Sequence, residues 1–444
     1  MSVKYGLSLC IATAFGLAFV SVQAKEYRVT PADDVAKIVE TAKDGDVVYF
    51  APGVYKTNLI VRAAVTLTGS HEAVIDAQGK GSGIMVRWPK ARVENLTVKN
   101  FGSSLYDRNA GVRVTDGADD VVIKNMVIQG PAFGIRADRL NRLTVEDCKI
   151  TGVAKKHLLD RGDGVYLNYV RYPKLSGNVV QNTRDGFYFE NVDGSISKEN
   201  AFSGGQYGIH YMYTRNDTGY DNYTMGAVGG YALMSSRQVK LERNTAVDSV
   251  EFGILVNVCE KCTVTGNRVT GVYNPKGKAV LDTEGKALFI YGPGASTVTD
   301  NYFAHGQIGV GVAMGGEGVK MSGNAFVDNR IQVRYVGKTA LEWSVNGKGN
   351  YWSTFMGWDF DGDGLAEKPY QPNDSLDRIF WIYPEARFLM DSPVVALLRW
   401  LAMQFEIDRG KGITDSHPLI ACPEIAGARG RFAKGFPIEN TTIP

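Results

Sequence analysis

Short segments in which apolar and polar residues alternate recur along the chain with a period of about 22 residues. Each segment starts with a residue that is usually glycine, followed by an apolar, a variable and an apolar residue. The segments start at Gly111, Gly134, Gly164, Gly186, Gly208, Gly230, Gly253, Ala287, Gly309 and Ile331. Alternation with period two predicts β-strands whose apolar residues point to one face. Because one such unit cannot bury its apolar face alone, the repetition predicts a stacked solenoid.

A column of asparagines accompanies the repeat, about fourteen positions after each starting residue. Its members are Asn95, Asn125, Asn178, Asn200, Asn222, Asn244, Asn267, Asn301 and Asn324, with Cys148 in their place once. Side-chain amides at one corner of a coil can bond to those above and below and satisfy the turn backbone. We therefore predict an all-β protein, a right-handed parallel β-helix of about twelve coils over residues 25–348. A helix bundle does not have this period, and a β-propeller needs about 40 residues per blade.

Both ends of the chain depart from the repeat. Lys4, the apolar run 7–20 and the small residues around Ala24 predict a signal peptide over residues 1–24 and therefore export. Residues 349–419 form a predicted C-terminal module with an acidic turn and an apolar helix. The helix is expected to start at Pro393, with Ser392 as its N-cap, and to end near Phe405. It would either seal the last coil, the favoured interpretation, or dock onto a membrane partner. The Gly/Arg-rich stretch 420–444 is expected to be disordered.

Charge and cysteine content limit the classes of function. The chain has 49 basic and 47 acidic residues, and this near-neutral balance argues against a nucleic-acid partner. The five cysteines, one of them in the signal peptide, do not suggest a disulfide-stapled scaffold. Cys259 and Cys262 fit a metal or redox motif by their spacing, but Cys259 takes an inward corner position. We interpret both as ordinary core cysteines.

The three largest interruptions of the repeat, 101–110, 153–163 and 272–286, precede the starting residue of a segment. They are either tolerated excursions or the walls of a groove beside the following strand. The outward positions of that strand include His210, Met212 and Met234. Met212 and Met234 are 22 residues apart and should stack, and an imidazole with two thioethers suits Cu(I). The alternative is an apolar docking surface, to which Tyr166 and Tyr188 would also contribute.

The segment that follows the repeat contains the run Asp359-Phe360-Asp361-Gly362-Asp363-Gly364. Asp359, Asp361 and Asp363 match the first half of a Ca²⁺-binding loop. The twelfth position is Tyr370 rather than glutamate, so the EF-hand pattern fails there. A small structural calcium site and a plain acidic turn both remain open.

Several C-terminal motifs carry a resemblance to a known family. GNYWS at 349–353, the DGDG turn, PYQPND, WIYPEARFL, SPVVALLRW and GITDSHPL follow one another. In this order they resemble the C-terminal signature of the NosD family, and GIHYMYT (208–214) and GYALM (230–234) are similar to it too. The resemblance implies a periplasmic, non-enzymatic accessory protein for maturation of nitrous oxide reductase. It also implies partners: the reductase itself, an ABC transporter with its membrane subunit and ATPase, and a copper chaperone lipoprotein. Membrane association would come through the transporter, where Trp400 and Phe405 are candidate contacts.

Two other functions fit the same architecture. Many polysaccharide lyases and uronate epimerases use parallel β-helices, and fold alone does not decide between them. Such an enzyme needs a base and a cation that neutralises the sugar carboxylate. The outward face of the strand beside the interruptions offers Arg113, Arg136, Tyr188 and His210 as candidate bases and cations. The methionines and the low basic charge of this face argue against an enzyme that acts on an acidic sugar. A sugar-binding module without chemistry would rest only on aromatic residues such as Tyr166 and Tyr188.

Overall fold

The computed structural model describes residues 24–278, 283–373, 375–390, 392–405 and 412–437. Three long parallel sheets wind around one axis, and beyond the first strand each strand of these sheets pairs with the strand three strands further along the chain. The predicted right-handed parallel β-helix is confirmed. Two sheets have thirteen strands and the third has twelve, slightly more than the predicted coil number. The predicted signal peptide, residues 1–24, lies almost wholly outside the described residues.

Each of the coils between the two ends contributes one strand to each of the three sheets. Sheet I consists of Glu26–Val29, Val47–Phe50, Thr66–Thr68, Arg92–Glu94, Val122–Lys124, Thr144–Glu146, Lys174–Ser176, Ile196–Lys198, Thr218–Tyr220, Lys240–Glu242, Cys262–Thr265, Ser296–Thr299 and Val319–Ser322. Sheet II consists of Gly53–Tyr55, Ala73–Asp76, Thr97–Lys99, Val127–Gln129, Lys149–Thr151, Val179–Gln181, Ala201–Ser203, Tyr223–Met225, Thr245–Val247, Arg268–Thr270, Tyr302–Ala304, Ala325–Val327 and Tyr351–Trp352. Sheet III consists of Leu59–Val61, Ile84–Val86, Ala110–Val114, Phe133–Asn141, Val165–Arg171, Asp185–Glu190, Tyr207–Met212, Gly229–Met234, Phe252–Asn257, Lys286–Gly292, Ile308–Gly315 and Ile331–Tyr335.

One continuous core fills the space between the sheets. The inward residues of sheet III, such as Phe187, Phe189 and Ile209, are fully buried, as the alternation predicts. The helix Val35–Thr41 covers the first coil with Val35 and Val39, and Asp34 caps it by accepting from the Lys37 amide.

The asparagine column is a continuous hydrogen-bonded ladder from Asn178 to Asn350. Each amide Nδ2 donates to the Oδ1 of the next asparagine at 2.8–3.0 Å, and the same Oδ1 accepts a backbone N–H. Asn350 extends the predicted column by one member and donates to the buried carboxylate of Asp415. A residue of the C-terminal module thus ends the ladder and satisfies its last amide.

The last coil is sealed by a small sheet of Leu341–Glu342, Tyr370–Asn373 and Ile413–Asp415. The Trp343 and Trp352 rings stack beneath it with centroids 6.3 Å apart, and Trp352 donates its indole N–H to Asp415. The expectation that the apolar helix seals the coil is therefore wrong, because this sheet already covers the core.

Two α-helices lie within the C-terminal module, Ser375–Ile382 and Pro393–Gln404, together with the 3₁₀ helix Pro384–Leu389. Ser392 caps Pro393–Gln404 as predicted, accepting the Val395 amide through its hydroxyl. Arg399 binds Asp377 and links the two helices. Most apolar side chains of Pro393–Gln404 are exposed, and only Val395 is buried among those that the structure describes. None of the described helices has the length and apolar character needed to cross a bilayer.

The C-terminal segment 419–437, which we name the strap, runs back along sheet II. It starts beside Tyr351 and reaches Asp147, which binds Arg431 at 2.9 Å. Phe432 and Phe436 are buried against outward side chains of sheet II, among them Tyr223. The expected disorder is therefore wrong for residues 420–437, because two phenylalanines anchor this glycine- and arginine-rich stretch. Residues 438–444 lie outside the described part.

Cys259 and Cys262 form a disulfide across the turn between sheets III and I. Both side chains point inward and are buried, as the coil position of Cys259 predicts. The interpretation as ordinary core cysteines is wrong in one respect, since they are covalently linked. Cys148 is a buried free thiol in the asparagine column.

Candidate functional site

The outward face of sheet III carries the candidate metal ligands. The strands Tyr207–Met212 and Gly229–Met234 pair in register, so that His210 lies beside Ala232 and Met212 beside Met234. The predicted stacking of the two methionines is therefore present in the backbone register.

This outward face is covered by other side chains. Tyr207, Ala232, Phe252 and Leu255 form a second apolar cluster outside the coil, and Met234 packs against it. Tyr207 and Phe252 come directly before the segment-starting glycines and fold over the face. His210 is consequently only 9% exposed, although it points away from the core.

His210 is held between a carboxylate and a thioether. Its Nδ1 lies 3.0 Å from Oδ2 of Asp185, and its Nε2 lies 3.3 Å from Sδ of Met234. The rings of Tyr207 and Tyr188 pack on the imidazole at centroid distances of 5.0 and 4.7 Å. In a neutral ring whose Nδ1–H donates to Asp185, the lone pair of Nε2 faces the sulfur. This tautomer is the form in which histidine binds metals.

Asp185 belongs to a buried charged network beneath the histidine. Its backbone N–H donates to Asp163, which also receives two hydrogen bonds from Arg184. Burial raises the pKa of the Asp163 carboxyl, and the Arg184 guanidinium opposes this change. The hydrogen bond to Asp163 holds the backbone of Asp185, whose carboxylate contacts the imidazole through Oδ2.

The arrangement is suited to a soft metal ion. Nε2 of His210 and Sδ of Met234 lie 3.3 Å apart, so that both atoms could bind one ion. Met212 lies on the same strand as His210 and is paired with Met234 in the backbone register, which makes it the candidate for a second sulfur ligand. Neutral imidazole and thioether ligands favour Cu(I) over hard cations.

Tyr166 and Tyr188 lie further along the same face in an aromatic stack. Their rings meet edge to face at 5.0 Å, and the Tyr166 hydroxyl donates to Glu190. Arg136 lies over Tyr166 and binds Asp138 through two hydrogen bonds, so its charge is already compensated. Burial is the main cause that raises the pKa of Tyr188 to about 12. The two tyrosines are half-buried, in contrast to the largely exposed Trp400 and Phe405.

The acidic turn brings Asp359, Asp361 and Asp363 together, with their carboxylate oxygens within 4.8 Å of one another. Asp359 accepts the backbone N–H groups of Gly362 and Gly364, and the other two carboxylates each accept one backbone N–H. The turn is exposed and lies apart from Tyr370, which belongs to the sealing sheet. The three carboxylates could hold a hard cation such as Ca²⁺.

Sequence reasoning missed Asp185, Tyr207 and Phe252, which position and cover His210. All three directly precede a segment-starting glycine, a position that the alternation of apolar and polar residues does not assign to either face of the sheet. The dipeptides Asp163-Gly164 and Asp185-Gly186, 22 residues apart, are the signal that could have revealed the carboxylates.

Comparison with protein families and known proteins gives a consistent result. The family model described as periplasmic copper-binding protein (NosD) matches residues 149–357, and a right-handed β-helix model matches residues 64–218. A protein of Stutzerimonas stutzeri named "Probable ABC transporter binding protein NosD" is 37% identical over 84% of this chain and 86% of its own length. The protein of the same name from Pseudomonas aeruginosa is 38% identical over 84% of this chain and 88% of its own length.

Among solved structures, the chain is similar to the DFA-IIIase of Arthrobacter chlorophenolicus A6 without its lid. The TM-score is 0.51 at 14% identity, over 68% of this chain and 94% of that chain. At this identity the likeness extends to the fold alone.

Proposed function

The chain belongs to the NosD family and is a periplasmic protein, and we propose that it is a non-enzymatic accessory factor in maturation of nitrous oxide reductase. It would receive Cu(I) at His210, Met212 and Met234 and pass it on for assembly of the copper–sulfur centre. The observation that carries the proposal is the contact of His210 Nε2 with the Met234 sulfur, with Asp185 on the other ring nitrogen.

The chemistry of the three ligands fits a transfer site. Two thioethers and a neutral imidazole add no negative charge, so the complex keeps the single positive charge of Cu(I). Such a site holds the ion less tightly than thiolates would, and this suits release to a next protein. The apolar cluster around Met234 keeps water away from one side of the ion.

We further propose that the C-terminal helices dock the protein on the membrane subunit of an ABC transporter. Val394, Leu397, Trp400 and Phe405 all expose about half or more of their surface. An exposed apolar patch of this kind is typical of an interface rather than of a free surface. Both relatives are named as ABC transporter binding proteins, which supports this partner. The copper chaperone lipoprotein and the reductase are proposed as further partners.

The acidic turn is proposed as a small calcium site that stabilises the module. Asp359, Asp361 and Asp363 supply three of the six to eight oxygens that Ca²⁺ usually takes, and backbone oxygens or water would supply the others. Calcium would have no part in handling copper.

A lyase or epimerase activity has less support. Arg136 is neutralised by Asp138, and the raised pKa of Tyr188 makes this phenol a poor base near neutral pH. His210 is enclosed and already contacts Asp185 and Met234. These contacts favour a positioned metal ligand over a base that must reach a sugar.

The proposal is tested in a strain that lacks this protein and carries a plasmid copy. Reductase purified without the protein should lack copper in its catalytic centre, and the wild-type copy should restore it. A Met212→Leu/Met234→Leu copy should fail to do so, whereas Met314→Leu/Met356→Leu, which changes two exposed methionines, should succeed. Full catalytic copper without the protein would refute the assignment.

The docking proposal is tested separately, because Leu397→Asp/Trp400→Asp should abolish co-purification with the transporter.

A further inference from the structure

A cleft of about 500 Å³ lies at the corner where sheet III turns into sheet I. We name it the tyrosine cleft, after Tyr169 and Tyr213, which line it. Tyr169 comes directly after Asn168 in the sequence, and Tyr213 comes directly after Met212. Asn168 pairs with Glu190 on the next strand, and Glu190 pairs with Met212 on the strand after that. The two tyrosines are therefore two coils apart, which is about 10 Å along the axis. This distance is wide enough for one peptide plane or ring between them.

The backbone at both tyrosines is in a conformation that tyrosine rarely adopts. Tyr169 and Tyr213 have φ angles of 54° and 56°, in the left-handed region. The equivalent residues of the coils before, between and after them, Arg139, Asn191 and Ser235, also have positive φ angles, so the conformation belongs to this corner of the coil. The side chains are 56% and 57% exposed, so core packing does not account for tyrosine here. Because neither core packing nor the backbone requires tyrosine at these two positions, the exposed rings are available for contact with another molecule.

The cleft also has an excess of positive charge. Arg139, Arg171 and Arg215 line it, together with a single carboxylate, Asp193. Asp193 binds Arg215 at 3.0 Å, and Arg139 binds Asp116 outside the lining. Arg171 is exposed and makes no ion pair within the described part of the chain. An exposed guanidinium on the same strand as an exposed tyrosine is a favoured contact for a carboxylate of another molecule.

We propose that the tyrosine cleft docks an acidic segment of the partner protein that exchanges Cu(I) with this chain. Tyrosine and arginine are the residues that most often dominate protein interfaces, and both classes meet here. Tyr213 directly follows Met212, so a partner bound in the cleft lies next to the candidate metal ligands. The identity of the partner rests on the proposed function, whereas the acidic character of the segment follows from the cleft alone.

The test uses the mature protein and two fluorescein-labelled peptides of equal length, one of alternating glutamate and alanine, the other of glutamine and alanine. Fluorescence polarisation at low ionic strength should show about tenfold tighter binding of the acidic peptide, and added salt should weaken it. Arg171→Glu and Tyr169→Ala/Tyr213→Ala should each weaken binding about fivefold or more. Tyr106→Ala and Lys320→Glu, which change exposed side chains elsewhere, should bind as the wild type does.

Equal affinity for the two peptides, or unchanged binding by the cleft variants, would overturn the proposal. Arg171→Lys is the control for a folding defect, because it changes the side chain but keeps its positive charge. It should keep most of the affinity for the acidic peptide. A Cu(I) titration of the same preparation distinguishes this inference from the proposed function. Protein that binds the acidic peptide but no Cu(I) would support the docking role of the cleft and refute the copper site. Protein that binds Cu(I) but not the acidic peptide would support the copper site and refute the docking role.

Discussion

The carboxylate of Asp185 lies 3.0 Å from Nδ1 of His210, on the side of the ring opposite the Met234 sulfur. The two residues come from adjacent strands of sheet III, and Asp185 is almost fully buried. A hydrogen bond of this kind fixes both the tautomer and the orientation of a metal-binding imidazole. The candidate copper site therefore depends on a residue that makes no direct contact with the ion.

We expect Asp185→Asn to weaken Cu(I) binding about 10-fold to 100-fold, the usual effect of losing such a supporting carboxylate. The asparagine amide can turn either its oxygen or its N–H to the ring, so the required tautomer is no longer enforced. Competition against a chromogenic chelator under anaerobic conditions measures this change. Asp300→Asn, which alters an exposed carboxylate bound to Lys348, is the control and should have no effect. Wild-type affinity in Asp185→Asn would refute the positioning role.

Asp217 should make the stability of the protein depend on pH. It is fully buried, and burial raises the pKa of its carboxyl to about 7, although Ser195 donates a backbone N–H to it. The folded state therefore binds more protons than the unfolded state between pH 4 and 7, and stability falls as pH rises through this range. Asp217→Asn keeps the acceptor for Ser195 and should raise the free energy of unfolding by about 1–3 kcal/mol at pH 8.

Thermal unfolding of the wild type and Asp217→Asn at pH 5 and pH 8 checks this prediction. The two proteins should differ clearly at pH 8 and much less at pH 5, where the wild-type carboxyl is mostly protonated. An equal difference at both pH values would show that Asp217 is ionised in the folded protein throughout.

The strap should detach when its main anchor is removed. Phe432 is buried against sheet II, and a buried phenylalanine truncated to alanine typically costs about 3–5 kcal/mol. Because Phe432 packs on the outside of sheet II and not in the core of the coils, we expect Phe432→Ala to release the strap locally rather than to unfold the coils. Limited trypsin digestion followed by mass spectrometry should then show faster cleavage after Arg429 and Arg431. Ile420→Ala, at a partly exposed site on the strap, should cleave like the wild type.

The fold was largely predictable because one local rule repeats along the chain. The period of about 22 residues and the column of asparagines define the coils, and the structure extends the ladder to Asn350 and Asp415. The end of the ladder was not predictable, because Asp415 lies 65 residues further along the chain. The disulfide of Cys259 and Cys262 depends in the same way on the geometry of one turn, which the coil position does not specify.

The solvent exposure of a side chain was harder to predict than the face of the sheet to which it points. Alternation shows that His210 points outward, but not that Tyr207 and Phe252 from other positions cover it. Composition also misled for the strap, since its glycines and arginines resemble a disordered tail while Phe432 and Phe436 anchor it. The helix Pro393–Gln404 was recognised from its cap and apolar content, but its exposed surface follows from a sealing sheet that assembles from distant segments.

The most direct test of the central claim is an anaerobic Cu(I) titration of the mature protein against a chromogenic chelator, beside two double variants. Leucine matches methionine in volume but offers no sulfur ligand, so Met212→Leu/Met234→Leu should remain folded. We predict that the wild type and the control Met314→Leu/Met356→Leu take one equivalent of Cu(I) from the chelator, and that Met212→Leu/Met234→Leu does not. Equal binding by all three proteins, or no binding by the wild type, would contradict a copper site at this face.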